Sequence, residues 1–385
     1  MIFLDNNSTT PVDERVLAVM QEHLRENYGN PHSSFHLPAR NASNSVTIAR
    51  EKISKFFGIN NEGVILTSGA TESNNQFITG AAIKAVHDKN KRKKIFYSSV
   101  EHKCVINSAL FTKSLGFEPI EIPTDKMGQV DLNFLEKEID DNTLLVSVMA
   151  VNNETGLTSP LKEIGKITVD NGSLFHSDFA QGLFRNWDTI YDYNLDAISI
   201  SGHKIYGPKG IGALLFTSDP LEFVEPIIHG GQQEGGLRSG TVPVFLAAGL
   251  GEALDILSQE REEITKSLDN LKTIFLKKLS AVGIEYELNN EGADGHPGTL
   301  NIYFPECEAE MLCAQLAKTV AISSAAACNG LKNEYSYVLQ NMGFSEARAS
   351  SSIRMCFGKS NTEREAIIAA EKIAEKVTLL TDTSF

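Results

Sequence analysis

From residue 63 onward, short apolar runs alternate with longer stretches of helical spacing. VILTSG predicts a strand, TESNNQFITGAAIKAV a helix, IFYSS a strand, and residues 102–114 a further helix. EPIEIP, LLVSVMAVNN, LFHSDFAQ, AISISGHK and GIGALLF add more short apolar runs, several too brief for buried helices. Such a succession predicts an α/β layer built on a mixed, mainly parallel sheet with helices on its faces. Before it, FLDNNSTTP reads as an extended arm broken by turn-forming residues. Helices are predicted from Val12 to Glu26 and over ASNSVTIAREKISKFF, where Val46, Ile53 and Phe57 share a face and Gly58 supplies the stop.

Past about residue 241 the pattern turns helix-rich. A helix from Phe245 to Leu279 precedes LNIYF, another helix, VAISS, a polar loop, SSIRMCFG and a last helix near 361–380. The expected organisation is an amino-terminal arm (1–15) packed on a smaller α+β domain (251–385), with a large domain (16–250) between them in sequence. No internal repeat or low-complexity tract interrupts this plan.

Composition narrows the class. At 385 residues and 42% hydrophobic content, the chain can bury a large core. Its 49 acidic residues outnumber 35 basic ones, and the net charge of −14 disfavours a broad nucleic-acid or anionic-membrane surface. The basic run KNKRKK, Lys89 to Lys94, reads either as a solvated helix end or as an anion contact. Five cysteines form no dense disulfide framework, no secretory signal is read at the start, and no apolar run approaches the roughly 20 residues of a membrane span. A cytoplasmic protein in a reducing compartment is expected, without a metal site, since Cys307 and Cys313 lack nearby histidines.

Candidate chemistry sits where the apolar runs stop. In SGHKIYGPKG, Lys204 becomes a nucleophile or base if its ammonium can lose a proton, and it can then form an imine with a carbonyl cofactor; otherwise it is a surface lysine on a turn. TSGATESNN passes from a strand through Gly69 and Ala70 into a helix whose first turn, with Thr71, can hold a phosphate or can be an ordinary cap. Asp178 in FHSDFAQ can face a protonated pyridine nitrogen or cap the next turn, and Gln181 or Asn153 can hydrogen-bond a phenolic oxygen. His102 can stack on a cofactor ring or cap the following helix. Arg354 in SSIRMCFG can grip a carboxylate with two parallel donors or make a structural salt bridge.

Taken together and in order, LDNNSTTP, SGATESN, EHK, VNNE, SDFAQ, SGHKIYGPKG, RSGT, the cysteine loop ISSAAACNG and SSIRMCFG resemble the pyridoxal-phosphate-dependent cysteine desulfurases. The resemblance covers nearly the whole chain. It implies an aspartate-aminotransferase-like fold (fold type I) with a large mixed-sheet domain and a smaller α+β domain, working as a homodimer with pyridoxal 5'-phosphate. It implies that Lys204 carries the cofactor, Asp178 meets its ring nitrogen and His102 lies over the ring. Gln181 and Asn153 then serve the phenolic edge or the substrate. Gly69, Ala70, Thr71, Ser201 and His203 would hold the phosphate, with Thr241 added from the other subunit. Arg354 and Asn153 would hold the substrate carboxylate. Cys328 would take sulfur from L-cysteine, leaving alanine, and pass it to a protein acceptor in iron–sulfur assembly, tRNA thiolation or DNA phosphorothioation.

Two departures from the family pattern are visible. SSAAAC stands where SSGSAC is frequent, which removes a glycine's conformational freedom and a hydroxyl before Cys328, and Phe179 stands where alanine is frequent. Within the fold the rival is a selenocysteine lyase or a β-eliminating enzyme, told apart by pyruvate and ammonia in place of alanine and persulfide. A rival of another class is a noncatalytic scaffold, told apart by failure to hold the cofactor through Lys204. Cys104 and Cys356 each lie two residues beyond a candidate site residue, and both are expected to be packed or merely accessible thiols.

Overall fold

The computed structural model describes all residues except Ser34, 186–189, 292–293, 325–334 and 383–385. The amino-terminal region contributes strand β1 (Ile2–Phe3) and helices α1 (Glu14–Glu26) and α2 (Leu37–Phe57). Asp13 caps α1 by accepting the Arg15 N–H, and α2 stops at Gly58 in the left-handed region, with φ of 69°. The α2 helix starts five residues earlier than its apolar spacing suggests because His36 Nδ1 accepts the Ala39 N–H and Pro38 suits the first turn.

The alternating region forms β2 (Val64–Thr67), α3 (Ala70–His87), β3 (Lys94–Ser98), α4 (Lys103–Phe111), β4 (Glu118–Ile122), α5 (Leu132–Glu138) and β5 (Thr143–Ser147). It continues through α6 (Leu161–Asp170), β6 (Leu174–Asp178), β7 (Ala197–Ser201) and β8 (Gly212–Phe216). These strands make one sheet in the order β2-β8-β7-β6-β5-β3-β4. Every neighbouring pair from β7 to β4 is parallel, while β8 runs antiparallel to both β7 and β2. Two reversals restore direction, so β2, β3, β5, β6 and β7 all end at the same edge of the sheet. All residues of β2, β5, β7 and β8 are buried, as expected of strands covered on both faces.

The remainder runs through α7 (Val244–Val282), β9 (Glu287–Leu288), β10 (Thr299–Tyr303), α8 (Ala309–Leu316), β11 (Val320–Ala321) and β12 (Ser323–Ser324). It closes with α9 (Tyr337–Asn341), α10 (Glu346–Ser350), β13 (Ser352–Cys356) and α11 (Glu363–Asp382). Helix α7 passes residue 250 without a break and packs against α1, α2 and α11. The segment VAISS divides between two sheets: β11 pairs in parallel with β1, whereas β12 joins the antiparallel sheet β12-β13-β10-β9. The arm continues from β1 alongside β13, where the Cys356 N–H donates to Leu4 O at 2.7 Å and Asn6 Nδ2 donates to Cys356 O at 2.8 Å.

Close backbone approach sets the sheet edge near the first strand-to-helix turn. A Cβ at Gly212 would lie 2.3 Å from Ile200 O and 2.7 Å from the Cα of Gly69, and neither backbone neighbour can rotate away. Replacing Gly212 by alanine is expected to cost about 1–3 kcal/mol. Thermal unfolding of the purified variant checks this, with a lowered midpoint as the expected outcome.

Candidate active site

The shared edge of the sheet gathers residues that are far apart in sequence. Gly69 follows β2, His102 follows β3, Asn153 follows β5, Asp178 ends β6, and Ser201 ends β7 just before Lys204. Ligands of open α/β sheets bind outside such carboxyl ends. Here those residues line one cavity of about 490 Å³, together with Ala70, Thr71, Gln181, His203 and Arg354. One expected site residue stands elsewhere, and a second cannot be placed. Thr241 is exposed and does not line the cavity of this chain, and Cys328 lies outside the described residues.

The first turn of α3 forms one wall. Gly69 precedes the helix with φ of 151°, a conformation L side chains rarely adopt, and no side chain caps this helix start. The backbone donors at Ala70 and Thr71 therefore face the cavity with the positive end of the helix dipole behind them. A Cβ at Gly69 would come within 3.5 Å of Ser201 Oγ, so glycine leaves room for an anion between turn and serine. His203 stands beside them with Nδ1 3.1 Å from Thr9 Oγ1; burial first, then the charges of Lys204 and Lys209, lower its pKa to about 4. Glu72 also lines this wall, held by Arg238 Nε at 2.8 Å.

Asp178 is 4% exposed, and both its oxygens are held. Asn74 Nδ2 donates to Oδ2 at 2.7 Å, and the Ala180 N–H donates to Oδ1 at 2.8 Å. His102 combines the two roles its sequence left open. It caps α4, its Nδ1 accepting the Cys104 N–H at 3.2 Å, and its ring lines the cavity. Because Nδ1 is an acceptor, the neutral ring carries its proton on Nε2. Burial lowers its pKa, the charge of Asp178 opposes that, and Lys204 and Lys103 reinforce it. Cys104 meets the imidazole because the capping residue has extended backbone: Sγ lies 2.9 Å from Nδ1. Burial pushes the Cys104 thiol up to about 12, so it sits there as a neutral S–H.

The opposite wall belongs to the arm and the smaller antiparallel sheet. Lys204 Nζ donates to Asn7 O and, at 2.9 Å, to Ser8 O. Gln181 Nε2 donates to the same Asn7 carbonyl at 2.8 Å. Arg354, 4% exposed on β13, donates from Nη2 to Asp5 Oδ1 at 2.9 Å and to Ser8 Oγ at 2.5 Å, and from Nη1 to Asn153 O at 3.3 Å. A structural ion pair thus exists, yet Arg354 Nε and Asn153 Oδ1 are buried with no hydrogen-bond partner among the described residues. Two such orphaned groups on one cavity wall mark the place of a polar ligand.

Asn7, Ser8, Asn74 and Glu101 also stand at or just behind the cavity, though none is a site residue expected from the sequence. Asn74 carried a usable signal, since it follows Thr71 by three residues and so shares its helix face. Glu101 carried none. It is fully buried, its Oε1 accepts the Met149 N–H, and burial together with the charge of Asp178 raises its pKa well above the ordinary carboxyl range. Phe179 is also fully buried and packs in the core, not on the cavity.

These residues fit pyridoxal phosphate part by part. The capless helix start, Ser201 and neutral His203 suit its phosphate, and the held carboxylate of Asp178 suits a protonated ring nitrogen. Lys204 suits its aldehyde, and the orphaned Arg354 Nε and Asn153 Oδ1 suit an amino-acid substrate beyond it.

Comparison with known proteins agrees with this geometry. The aminotransferase class-V family matches residues 2–367. The cysteine desulfurase IscS of Rickettsia prowazekii (strain Madrid E) is 42% identical over 376 residues, covering 98% of this chain and 91% of that one. The solved structure of a NifS-like protein superposes with a TM-score of 0.90 at 32% identity, covering 98% and 99% of the two chains. A structure of SspA in complex with cysteine has a TM-score of 0.79 at 31% identity, covering 94% of this chain and 100% of that one. The chain belongs to the aminotransferase class-V family, in its cysteine-desulfurase branch.

Proposed function

We propose that the protein converts L-cysteine to L-alanine with pyridoxal 5'-phosphate held on Lys204, and stores the sulfur as a persulfide on Cys328. The observation that carries this reading is the convergence of Lys204, Asp178, His102 and Arg354 on one cavity beside a helix start that lacks a side-chain cap. When bound, the cofactor supplies an electron-poor ring that stores the electron pair left at the amino acid's Cα.

The protein's own groups do the rest. Asp178, fixed by Asn74 and Ala180, keeps the ring nitrogen protonated. Lys204 Nζ takes the Cα proton and later returns protons to carbon. Arg354 and Asn153 hold the carboxylate. With Nδ1 engaged by the Cys104 N–H, His102 serves as a ring contact and an Nε2–H donor. The Cys328 thiolate forms a bond to the substrate sulfur as the Cβ–S bond breaks, so cysteine and the Cys328 thiol become alanine and a Cys328 persulfide without an external oxidant.

Chain reach supports this nucleophile. Cys328 is five residues from Ser323, which pairs with Arg354, and an extended chain of that length covers at most about 18 Å. A homodimer would bring exposed Thr241 to the phosphate of the other copy. A cytoplasmic setting suits the cysteines among the described residues, none of which is in a disulfide. Among the described residues no helix is long and apolar enough to cross a membrane. The acceptor is a protein partner in iron–sulfur assembly or nucleic-acid thiolation, in keeping with the IscS name of one relative.

The reading is tested by products. Purified enzyme given L-cysteine is expected to release alanine, and Cys328→Ser to retain cofactor absorbance while losing persulfide formation. Pyruvate and ammonia as main products, or undiminished persulfide in the variant, contradict it. Arg354→Ala is expected to raise KM for cysteine roughly ten- to hundred-fold, the worth of a charge-assisted hydrogen-bonded pair, measured by steady-state kinetics.

A pH profile tests His102. Its folded-state pKa is lowered, so the neutral ring predominates at all pH above that value and is lost only as pH falls through it. The acid limb of kcat/KM is therefore expected below about pH 6.5, the ordinary histidine value. A limb at or above it that disappears in His102→Asn contradicts this assignment.

A further inference from the structure

Downstream of Cys328, the first described residues are Tyr335, Ser336 and Tyr337, and the last two are tied to the two loops that carry His102 and Asn153. Ser336 Oγ donates to Glu154 Oε2 at 2.5 Å and accepts the Leu339 N–H at 3.1 Å, so both hydrogen-bonding roles of this hydroxyl are used. Tyr337 OH donates to Glu101 O, next to His102, and Lys103 Nζ lies 5.6 Å from the centre of the Tyr337 ring. Apolar packing of Val338, Leu339 and Met342 against Val100 and Leu157 seats helix α9 on the same two loops.

Glu154 is held as firmly as its partner. Its N–H donates to Asn152 Oδ1 at 2.8 Å, its carbonyl accepts Asn301 Nδ2 at 3.1 Å, and it is 4% exposed. The neighbouring Asn152 side chain reaches Val100 O at 2.9 Å and so joins the two loops. A buried carboxyl aimed at one serine hydroxyl, one residue beyond Asn153, is more than a core needs for packing.

We propose that Glu154 is a positioning residue: through Ser336 it fixes the downstream root of the Cys328 segment to the loop that presents Asn153, so that sulfur is collected in register with the bound substrate. This inference rests on the reading that Cys328 accepts the sulfur. Burial raises the Glu154 pKa to about 7, against the opposing effects of the Ser336 hydrogen bond and the charge of Arg354. Near neutrality the interaction is then as much a hydrogen bond as a charge contact, and a carboxamide oxygen can replace the carboxylate as acceptor.

The test uses full-length enzyme loaded with its cofactor and compares Glu154→Ala, Glu154→Gln and Ser336→Ala with the parent chain. The two alanine variants are expected to slow single-turnover persulfide formation about ten- to hundred-fold, the effect of misplacing a reacting group by an ångström or so. Their KM for cysteine is expected to stay within about two-fold, and Glu154→Gln to recover most of the lost rate. Glu154 lies outside the α9 cap, so its variants separate positioning from the cost of losing the Ser336 cap. Rates of Cys328 alkylation by iodoacetamide, read by mass spectrometry without any cysteine substrate, give an independent readout and are expected to change in both alanine variants. Equal alkylation rates in all four proteins overturn the proposal, as does a Glu154→Gln variant as slow as Glu154→Ala. Alanine release without sulfur on Cys328 in the parent enzyme contradicts the proposed function instead, while alkylation still decides whether the anchor holds.

Discussion

The carbonyl of Asn7 is the point on which the cavity depends. It accepts a hydrogen bond from Lys204 and another from Gln181, side chains carried by two different strand ends of the large sheet. The same residue's amide donates to Asn153 O at 3.2 Å and to Thr299 Oγ1 at 3.0 Å, reaching a third strand end and the smaller sheet. One residue on, Ser8 meets both Lys204 and Arg354. A short irregular arm has backbone groups that no strand partner satisfies, and these groups bind the functional side chains. The arm in turn is fixed by β1 pairing with β11 and by its bonds to Cys356.

Charges of both signs line this cavity. Lys204, Lys209, Arg354 and the start of α3 lie on one side of the balance, and Asp178 and Glu72 on the other. Two further buried carboxyls, Glu101 and Glu154, stand just behind the lining with raised pKa values, so they add hydrogen-bonding capacity with reduced charge. Both histidines at the site are lowered and therefore neutral near pH 7, which leaves the cationic work to lysine, arginine and the helix dipole. The arrangement suits a ligand with a phosphate at one end and a carboxylate at the other.

Much of this was legible in the sequence because the strands are short, apolar and punctuated by polar residues at their carboxyl ends. SGHKIYGPKG and TSGATESNN announced Lys204 and the Gly69 turn, and the resemblance tied them to Asp178, His102 and Arg354. What remained hidden depended on contacts at long range. That Asn7 and Ser8 meet Lys204 requires the arm to return across nearly two hundred residues, which no local pattern encodes. VAISS is a single short run in the sequence, and only the positions of β1 and β13 divide it. His102 read as either cap or ring contact; the N-cap conformation allows both, because Nδ1 turns back to Cys104 while the ring lines the cavity.

The destination of sulfur in the first turnover decides whether Cys328 is the acceptor. Enzyme mixed with less than one equivalent of sulfur-labelled L-cysteine, quenched and mapped by peptide, should carry the label on the peptide containing Cys328, in an amount matching the alanine released. Label distributed over Cys104, Cys313 or Cys356, or released as free sulfide with no protein-bound fraction, would contradict it.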